Sequence, residues 1–321
     1  AGSGGVGTAS RNPHRFEAHG STTAAATLRS VAPFALLATL WGLSFPAISV
    51  GLDALPPVLF AAFRYAVAAV LLLGATALPA SGRSWLPTTR GDRVAVVGGG
   101  LFLIAGNGFL FLGQQTVPSG VAAIIQGLVP IATALWALAL LPEERVSTVG
   151  AVGIGVGFLG VGLVVRPDPA NLLSADLAAR LLICVQVASV ALGGVIVQRA
   201  SPDIGGTTLA GWSMAVGAAV LHVGSVALAE PPTVPTGLSL AAVAYLGVFA
   251  TAVAFFLYFR MLERYGALET SLVAYAVPVV ATLAGVVLLD ERIGPLSLAG
   301  FAVIFLGFVL LKRSAFRRLL S

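Results

Sequence analysis

Charged residues are scarce in this chain. Of its 321 residues, 18 are Lys or Arg and 13 are Asp or Glu, so charged side chains make up 10% of the sequence. Soluble domains carry about a quarter charged residues, and this composition therefore excludes an ordinary soluble protein. The chain also has a single cysteine, Cys184. Neither a disulfide nor a cysteine-based metal site can form within one chain.

The sequence contains long stretches without any charged residue, and 58% of its residues are hydrophobic. A membrane-spanning helix needs about 20 apolar residues, and a barrel strand would instead alternate polar and apolar residues. The longest stretch, 94–142, is divided by the polar, helix-breaking segment QQTVPSG. The sequence predicts ten membrane-spanning helices, at 31–52, 55–79, 93–113, 118–141, 147–166, 176–199, 205–228, 238–261, 267–289 and 296–312.

The distribution of basic residues predicts the orientation. With the N-terminus inside, fourteen Lys and Arg residues fall on cytoplasmic segments and three on outer segments. This asymmetry predicts that both termini are cytoplasmic. We expect a multi-pass protein of the cell (plasma or inner) membrane, with a disordered tail at 1–30 and a basic tail at 313–321. The basic tail then faces anionic lipid, and the net positive charge requires no nucleic-acid partner.

The second half of the chain repeats the first. A shift of 148 residues places Pro130 on Pro278, and a shift of 147 places Glu144-Arg145 on Glu291-Arg292. The predicted repeats are 31–166 and 174–312, with five helices each. Because five is odd, the second repeat crosses the membrane in the opposite sense, as in alternating-access transporters. The predicted fold class is an all-α polytopic membrane protein with two inverted-topology five-helix repeats.

Two segments resemble a known family. WGLSFPAISVGLDALPPVLFAAFRYAVAAVLLL (41–73) and ERYGALETSLVAYAVPVVATLAGVVLLDERIGPLSLAGFAVIFLGFVLL (263–311) are similar to EamA-type members of the drug/metabolite transporter superfamily. The resemblance implies a secondary transporter that exports or exchanges a small organic metabolite, such as an amino acid or related compound. It implies a cavity lined by helices 1, 3, 4, 6, 8 and 9, and no cofactor. We expect contacts with membrane lipid and a small-molecule substrate, no metal, and a monomer or homodimer.

Arg64 is a cation well inside the second predicted span. It lies seven residues after Pro57, about 10 Å below the membrane boundary at about 1.5 Å per residue. A charge at this depth is costly in lipid, so we expect Arg64 to face protein or a water-filled cavity. It either anchors a substrate carboxylate, or it snorkels outward or bonds backbone carbonyls.

The other candidates are polar, aromatic or helix-breaking residues inside the predicted spans. Buried amides need partners, so they either line the substrate path or join helices. The path candidates besides Arg64 are Trp41, Ser44, Asn107, Gln126, Gln186 and Tyr275. Pro46, Pro130 and Pro278 remove backbone hydrogen bonds, and each either allows bending or is a static kink. His222 and Glu269 are candidates for carrying a coupling proton, although Glu269 also suits an interfacial carboxylate.

One motif matches the sequence pattern of a dinucleotide-binding site. The stretch GIGVGFLG at 153–160 contains the G-x-G-x-x-G pattern of dinucleotide-binding proteins. That pattern binds pyrophosphate at a strand-to-helix turn, whereas these glycines lie inside an uncharged span. We interpret Gly153, Gly157 and Gly160 as a helix-packing face, with Gly300 and Gly307 as its counterpart in the second repeat.

Two other functions compete with transport. A membrane-embedded enzyme, such as a lipid or prenyl transferase, would need clustered acidic, histidine or metal-binding residues. The predicted spans contain no such cluster, so we predict that the protein is not an enzyme. A channel would need a charged ring or a carbonyl filter. A passive channel-like facilitator stays open as the alternative to a carrier.

Overall fold

The computed structural model describes residues 32–77, 85–141, 147–165, 175–271, 273–311 and 313. Ten helices and no strand occur in these ranges. The helices are α1 (Ala32–Leu52), α2 (Pro57–Ala77), α3 (Arg90–Gln114), α4 (Ser119–Leu140), α5 (Thr148–Val165), α6 (Ala175–Ala200), α7 (Gly206–Ala227), α8 (Gly237–Met261), α9 (Val273–Leu289) and α10 (Pro295–Leu311). The first eight are long and apolar enough to cross a membrane, and the last two are shorter apolar helices. The predicted tails, apart from Arg313, and the corner Glu144-Arg145 lie outside the described residues.

One predicted boundary is wrong. The sequence predicts a helix over 267–289, but the helical backbone of α8 continues through Gly266 to Ser271, and α9 begins at Val273. A glycine inside a helix costs only about 1 kcal/mol relative to alanine, which is too little to end it.

Helices pack in pairs that follow the two repeats. α2 lies along α7, α5 along α10, and the first half of α4 contacts α9. α1 contacts α8, and α6 correspondingly contacts α3. The first three pairs join helices at equivalent positions of the two repeats. The pairs α1–α8 and α6–α3 are equivalent to each other. The two repeats therefore build one shared core.

The predicted glycine faces of α5 and α10 meet each other. A Cβ added at Gly153 would lie 2.5 Å from the Gly307 carbonyl oxygen, and one at Gly160 would lie 2.8 Å from the Gly300 carbonyl oxygen. A Cβ added at Gly157 would instead meet the Ile131 side chain of α4. The two glycine faces thus form one interface between the repeats rather than two separate packing surfaces.

α3 and α8 are irregular at equivalent positions. Each contains a wider, π-helical segment, over Gly99–Ile104 in α3 and over Tyr245–Val253 in α8. Such segments occur often at functional sites because they change the direction of side chains. A Cβ added at Gly247 would lie 2.7 Å from the Val67 side chain, so the irregular part of α8 presses closely on α2.

Carboxylates from each repeat cap helix starts in the other. Glu230, after α7, accepts hydrogen bonds from the backbone amides of Val58–Leu59 at 3.0 and 2.8 Å. Asp92, near the start of α3, accepts from the amides of Asp203–Ile204 before α7 at 2.8 and 3.1 Å. The Glu230 contact satisfies amides of the first turn of α2, which have no intrahelical partner, and fastens the start of α2 to the end of α7. The Asp92 contact fastens the start of α3 to the segment before α7.

Candidate functional site

Arg64 joins the two repeats. Its side chain is 7% exposed, and its Nε donates a hydrogen bond of 2.9 Å to the Thr251 hydroxyl. Thr251 is fully buried in the π-helical segment of α8. The guanidinium therefore points into protein, which excludes the snorkelling alternative.

No anion balances this charge among the described residues. The ion pair found within them is Arg180–Asp176, and the terminal guanidinium nitrogens of Arg64 donate to none of their acceptors. The guanidinium carbon lies 5.2 Å from the centre of the Tyr65 ring. Burying a cation without an anionic partner costs several kcal/mol. The free edge of the guanidinium is thus suited to an anion that comes from outside the protein.

An aromatic cluster lies further along α8. Trp41 of α1 lies 5.6 Å from the Tyr258 ring and 6.1 Å from the Phe255 ring, measured between centroids. Phe255 and Tyr258 follow Thr251 by four and seven residues, so at about 1.5 Å per residue the Trp41 contact lies about 6–10 Å further along α8 than the Arg64 contact. We name Arg64, Thr251, Trp41, Phe255 and Tyr258 the Arg64 site.

α1 is broken beside this cluster. Its helix is interrupted by a turn at Leu43, and the Ser44 hydroxyl donates to the Trp41 carbonyl at 2.5 Å. Pro46 follows and lacks a backbone donor. The Gln114 side chain of α3 donates to the Phe45 carbonyl at 3.2 Å, while its own carbonyl oxygen is buried without a partner in the described structure. The break is thus tied to α3 by a residue that the sequence analysis placed in a loop.

Two predicted amides meet between α3 and α6. Gln186 is 1% exposed and donates to the Asn107 side-chain oxygen at 3.1 Å. Asn107 donates in turn to the Leu103 carbonyl at 2.6 Å. This geometry supports the interhelical alternative for both amides. Gln126 is half-buried and ends the first segment of α4.

The comparisons agree on one family. A family model described as the EamA-like transporter family matches residues 29–166 and 177–313. The chain belongs to the EamA-like transporter family. An uncharacterized transporter of Archaeoglobus fulgidus is 26% identical over 292 residues, which cover 87% of this chain and 97% of that protein. The uncharacterized inner membrane transporter YedA of Escherichia coli K12 is 28% identical over 272 residues, or 84% of this chain and 86% of YedA.

Other matches extend this result. A probable amino-acid metabolite efflux pump of Salmonella typhimurium is 27% identical over 285 residues, or 85% of this chain and 91% of the pump. One solved structure has a TM-score of 0.62 at 23% identity and covers 91% of this chain and 99% of its own, which shows the same fold. The family and these relatives are named as transporters or pumps, not enzymes. The chain is therefore a multi-pass membrane transporter that contacts lipid and a small-molecule substrate.

The matched prolines of this EamA-like transporter differ in role. α4 is broken at Gly127–Leu128, and Pro130 stands at the start of its second segment, where a missing amide costs little. Pro278 lies inside the continuous helix α9. Tyr275, one turn earlier, is 7% exposed and packs 4.5 Å from the Phe308 ring of α10. Its contacts thus lie toward α10 and not with the Arg64 site.

The two proton candidates of the EamA-like chain lie apart from the Arg64 site. The His222 Nδ1 forms a hydrogen bond of 2.8 Å with the Ala218 carbonyl oxygen, and its ring contacts Phe63 edge to face. The backbone of Glu269 belongs to the helical continuation of α8, and its side chain lies outside the described part of the structure.

A polar pocket of about 350 Å³ lies where α1 and α3 end and α4 begins. Ser49, Asp53 and Gln114 line it together with Glu291. Glu291 accepts a hydrogen bond of 2.9 Å from the Ser119 backbone amide, and it forms no ion pair with Arg292. Glu291 thus closes a contact between the two repeats of the transporter. The sequence does not reveal this role, because Ser119 and Glu291 are 172 residues apart along the chain.

Proposed function

We propose that this protein carries a small organic metabolite with a carboxylate, such as an amino acid or related compound, across the cell (plasma or inner) membrane. It acts as an exporter or exchanger by alternating access between its two repeats, with both termini cytoplasmic. The observation that carries this proposal is the buried Arg64, which has no anionic partner among the described residues.

The chemistry of the Arg64 site supports this substrate class. A guanidinium offers paired N–H donors that match the two oxygens of a carboxylate. The Nε of Arg64 is already held by Thr251, so its orientation is fixed before the substrate binds. The aromatic rings of Trp41 and Tyr258, further along α8, offer an apolar surface for the rest of the substrate. The name of the Salmonella typhimurium relative agrees with an amino-acid metabolite.

The location of the site supports alternating access. Arg64 belongs to the first repeat and Thr251 to the second, so movement of one repeat against the other changes this contact. Inverted-repeat transporters bind their substrates between the repeats near the middle of the membrane.

Counterflow into liposomes tests the proposal. The full-length protein is reconstituted, the liposomes are loaded with an unlabelled compound, and entry of the labelled compound is followed. Amino acids are compared with the amines that remain when their carboxylates are removed. We expect a transient overshoot for at least one amino acid and none for its matched amine. A steady approach to equilibrium without overshoot would support the facilitator instead.

Variants connect transport to the site. A hydrogen bond to a charged group contributes about 1.5–3 kcal/mol, so Arg64→Gln is expected to reduce uptake at low substrate concentration by about tenfold or more. Thr251→Val should have a smaller effect, since it removes only the support for Nε. Arg260→Gln is the control, because Arg260 is exposed and lies over the Phe256 ring. If folded Arg64→Gln transports carboxylates as the parent does, the substrate class is wrong.

A further inference from the structure

A second cavity opens at the end of the bundle where α3 begins and α4 and α6 end. Its volume is about 600 Å³. Two arginines and an apolar wall line it: Arg90, Arg199, Val94, Leu140, Leu192 and Ile196. None of these residues belongs to the Arg64 site. The cavity therefore requires its own explanation.

The two arginines are available for a ligand. Both are exposed, and neither has a hydrogen bond or ion pair with the residues that the structure describes. Arg93, one turn after Arg90, differs because it donates to the Thr88 and Thr89 carbonyls at 3.2 and 3.4 Å. Among the described residues, the cavity thus holds two positive charges without partners, and the adjacent cation is engaged elsewhere.

The charged and the apolar residues of this cavity lie at different depths along the helix axes. On α3, Val94 lies four residues deeper in the helix than Arg90, and on α6, Leu192 lies seven residues deeper than Arg199. At about 1.5 Å per residue, the apolar wall is about 6–10 Å further into the bundle than the guanidiniums. Val94 is 45% exposed, and Leu140, Leu192 and Ile196 are half-buried, so protein covers this wall only in part in the described structure. Positive charge at the helix ends above an apolar groove matches the polarity of a phospholipid.

We propose that this cavity binds one anionic phospholipid. Arg90 and Arg199 hold the phosphate, and an acyl chain lies along Val94, Leu192 and Ile196. Basic pockets between membrane helices bind anionic headgroups in this way. A soluble phosphate would satisfy the arginines and leave the apolar wall in water, so the wall favours a lipid. The positive-inside rule places this end in the cytoplasmic leaflet, which is the anionic one.

Native mass spectrometry of the full-length protein in detergent tests the proposal. Phosphatidylglycerol is titrated against phosphatidylcholine with the same acyl chains, and inorganic phosphate is added as a soluble competitor. We expect one phosphatidylglycerol to bind at least about tenfold more tightly than phosphatidylcholine, because both lipids carry the phosphate but the choline cation of phosphatidylcholine is repelled by the two guanidiniums. Equal binding of the two lipids would overturn the proposal. Displacement of the lipid by millimolar phosphate would also overturn it, because the apolar wall would then contribute nothing.

Matched variants locate the site. Arg90→Gln with Arg199→Gln should remove the preference for phosphatidylglycerol, whereas Arg93→Gln should preserve it despite losing a neighbouring charge. Equal losses in these proteins would indicate general attraction to anionic lipid and would refute a specific site. Leu192→Trp fills the apolar groove and keeps both arginines, so it should weaken lipid binding on its own. Unchanged binding by folded Leu192→Trp would refute the acyl-chain contact.

Discussion

Gly153 and Gly155 lie two residues apart in α5, and we predict opposite effects when each is replaced by alanine. A Cβ at position 153 would lie 2.5 Å from the Gly307 carbonyl oxygen and 2.7 Å from the Leu311 backbone nitrogen. A Cβ at position 155 would meet nothing within 4 Å. Gly153→Ala should therefore destabilise the protein, and Gly155→Ala should not.

The size of the effect follows from the α5–α10 interface. An ordinary contact begins at 3.4 Å, so the new methyl group at Gly153 would be about 0.9 Å too close to a backbone atom. Backbone atoms cannot turn aside as side chains do, so the two helices must separate. Overpacking of this kind costs about 1–3 kcal/mol. Both substitutions gain the same helix propensity, so the difference between the two variants measures this steric cost alone.

Thermal unfolding of the full-length protein in detergent measures the difference. Gly153→Ala should unfold at a lower temperature than the parent protein, and Gly155→Ala at the same or a higher temperature. Size-exclusion profiles after heating provide an independent measure. Equal losses in both variants, or a loss only in Gly155→Ala, would show that α5 and α10 do not pack as described.

Two carboxylate caps give further predictions. Glu291→Gln weakens the contact to Ser119 at the polar pocket. In a Cys184→Ser background, a cysteine introduced at Thr116 in this pocket should therefore react faster with a thiol reagent. An unchanged rate would argue against Glu291 closing this end. Glu230→Gln weakens charge-assisted bonds between α7 and the start of α2 that are worth about 1.5–3 kcal/mol. It should therefore lower the unfolding temperature and leave counterflow intact, because α2 and α7 stay paired. Lost transport with normal stability would contradict this.

Much of the fold could be predicted from the sequence because a membrane requires long apolar helices. The number of helices follows from uncharged runs of bilayer length, and the family match confirms the repeat architecture. The start of α9 was mispredicted, since it was placed at 267 whereas the helical backbone of α8 continues to Ser271 and α9 begins at Val273. Local patterns therefore determine which segments are helical better than where each helix ends.

The site was only partly predictable. Arg64 could be identified because a cation inside a span is rare. Thr251 could not, since threonine is common in such helices and nothing in the sequence marks the π-helical segment that directs it toward Arg64. Glu230 and Glu291 were missed for a different reason. Each caps a helix start 172 residues away, beyond any local pattern.

The scaffold follows the repeats, but the Arg64 site does not. At the contact of α2 with α8, the buried cation meets Thr251. At the equivalent contact of α7 with α3, a Cβ added at Gly99 would lie 2.8 Å from the Ser213 hydroxyl, and α7 carries no Lys or Arg. The α3–α7 contact is therefore close packing of small residues without a cation. We therefore propose that a substrate of Arg64 lies to one side of the axis that relates the repeats, so that the two equivalent contacts of a symmetric scaffold perform different tasks, one binding and one packing.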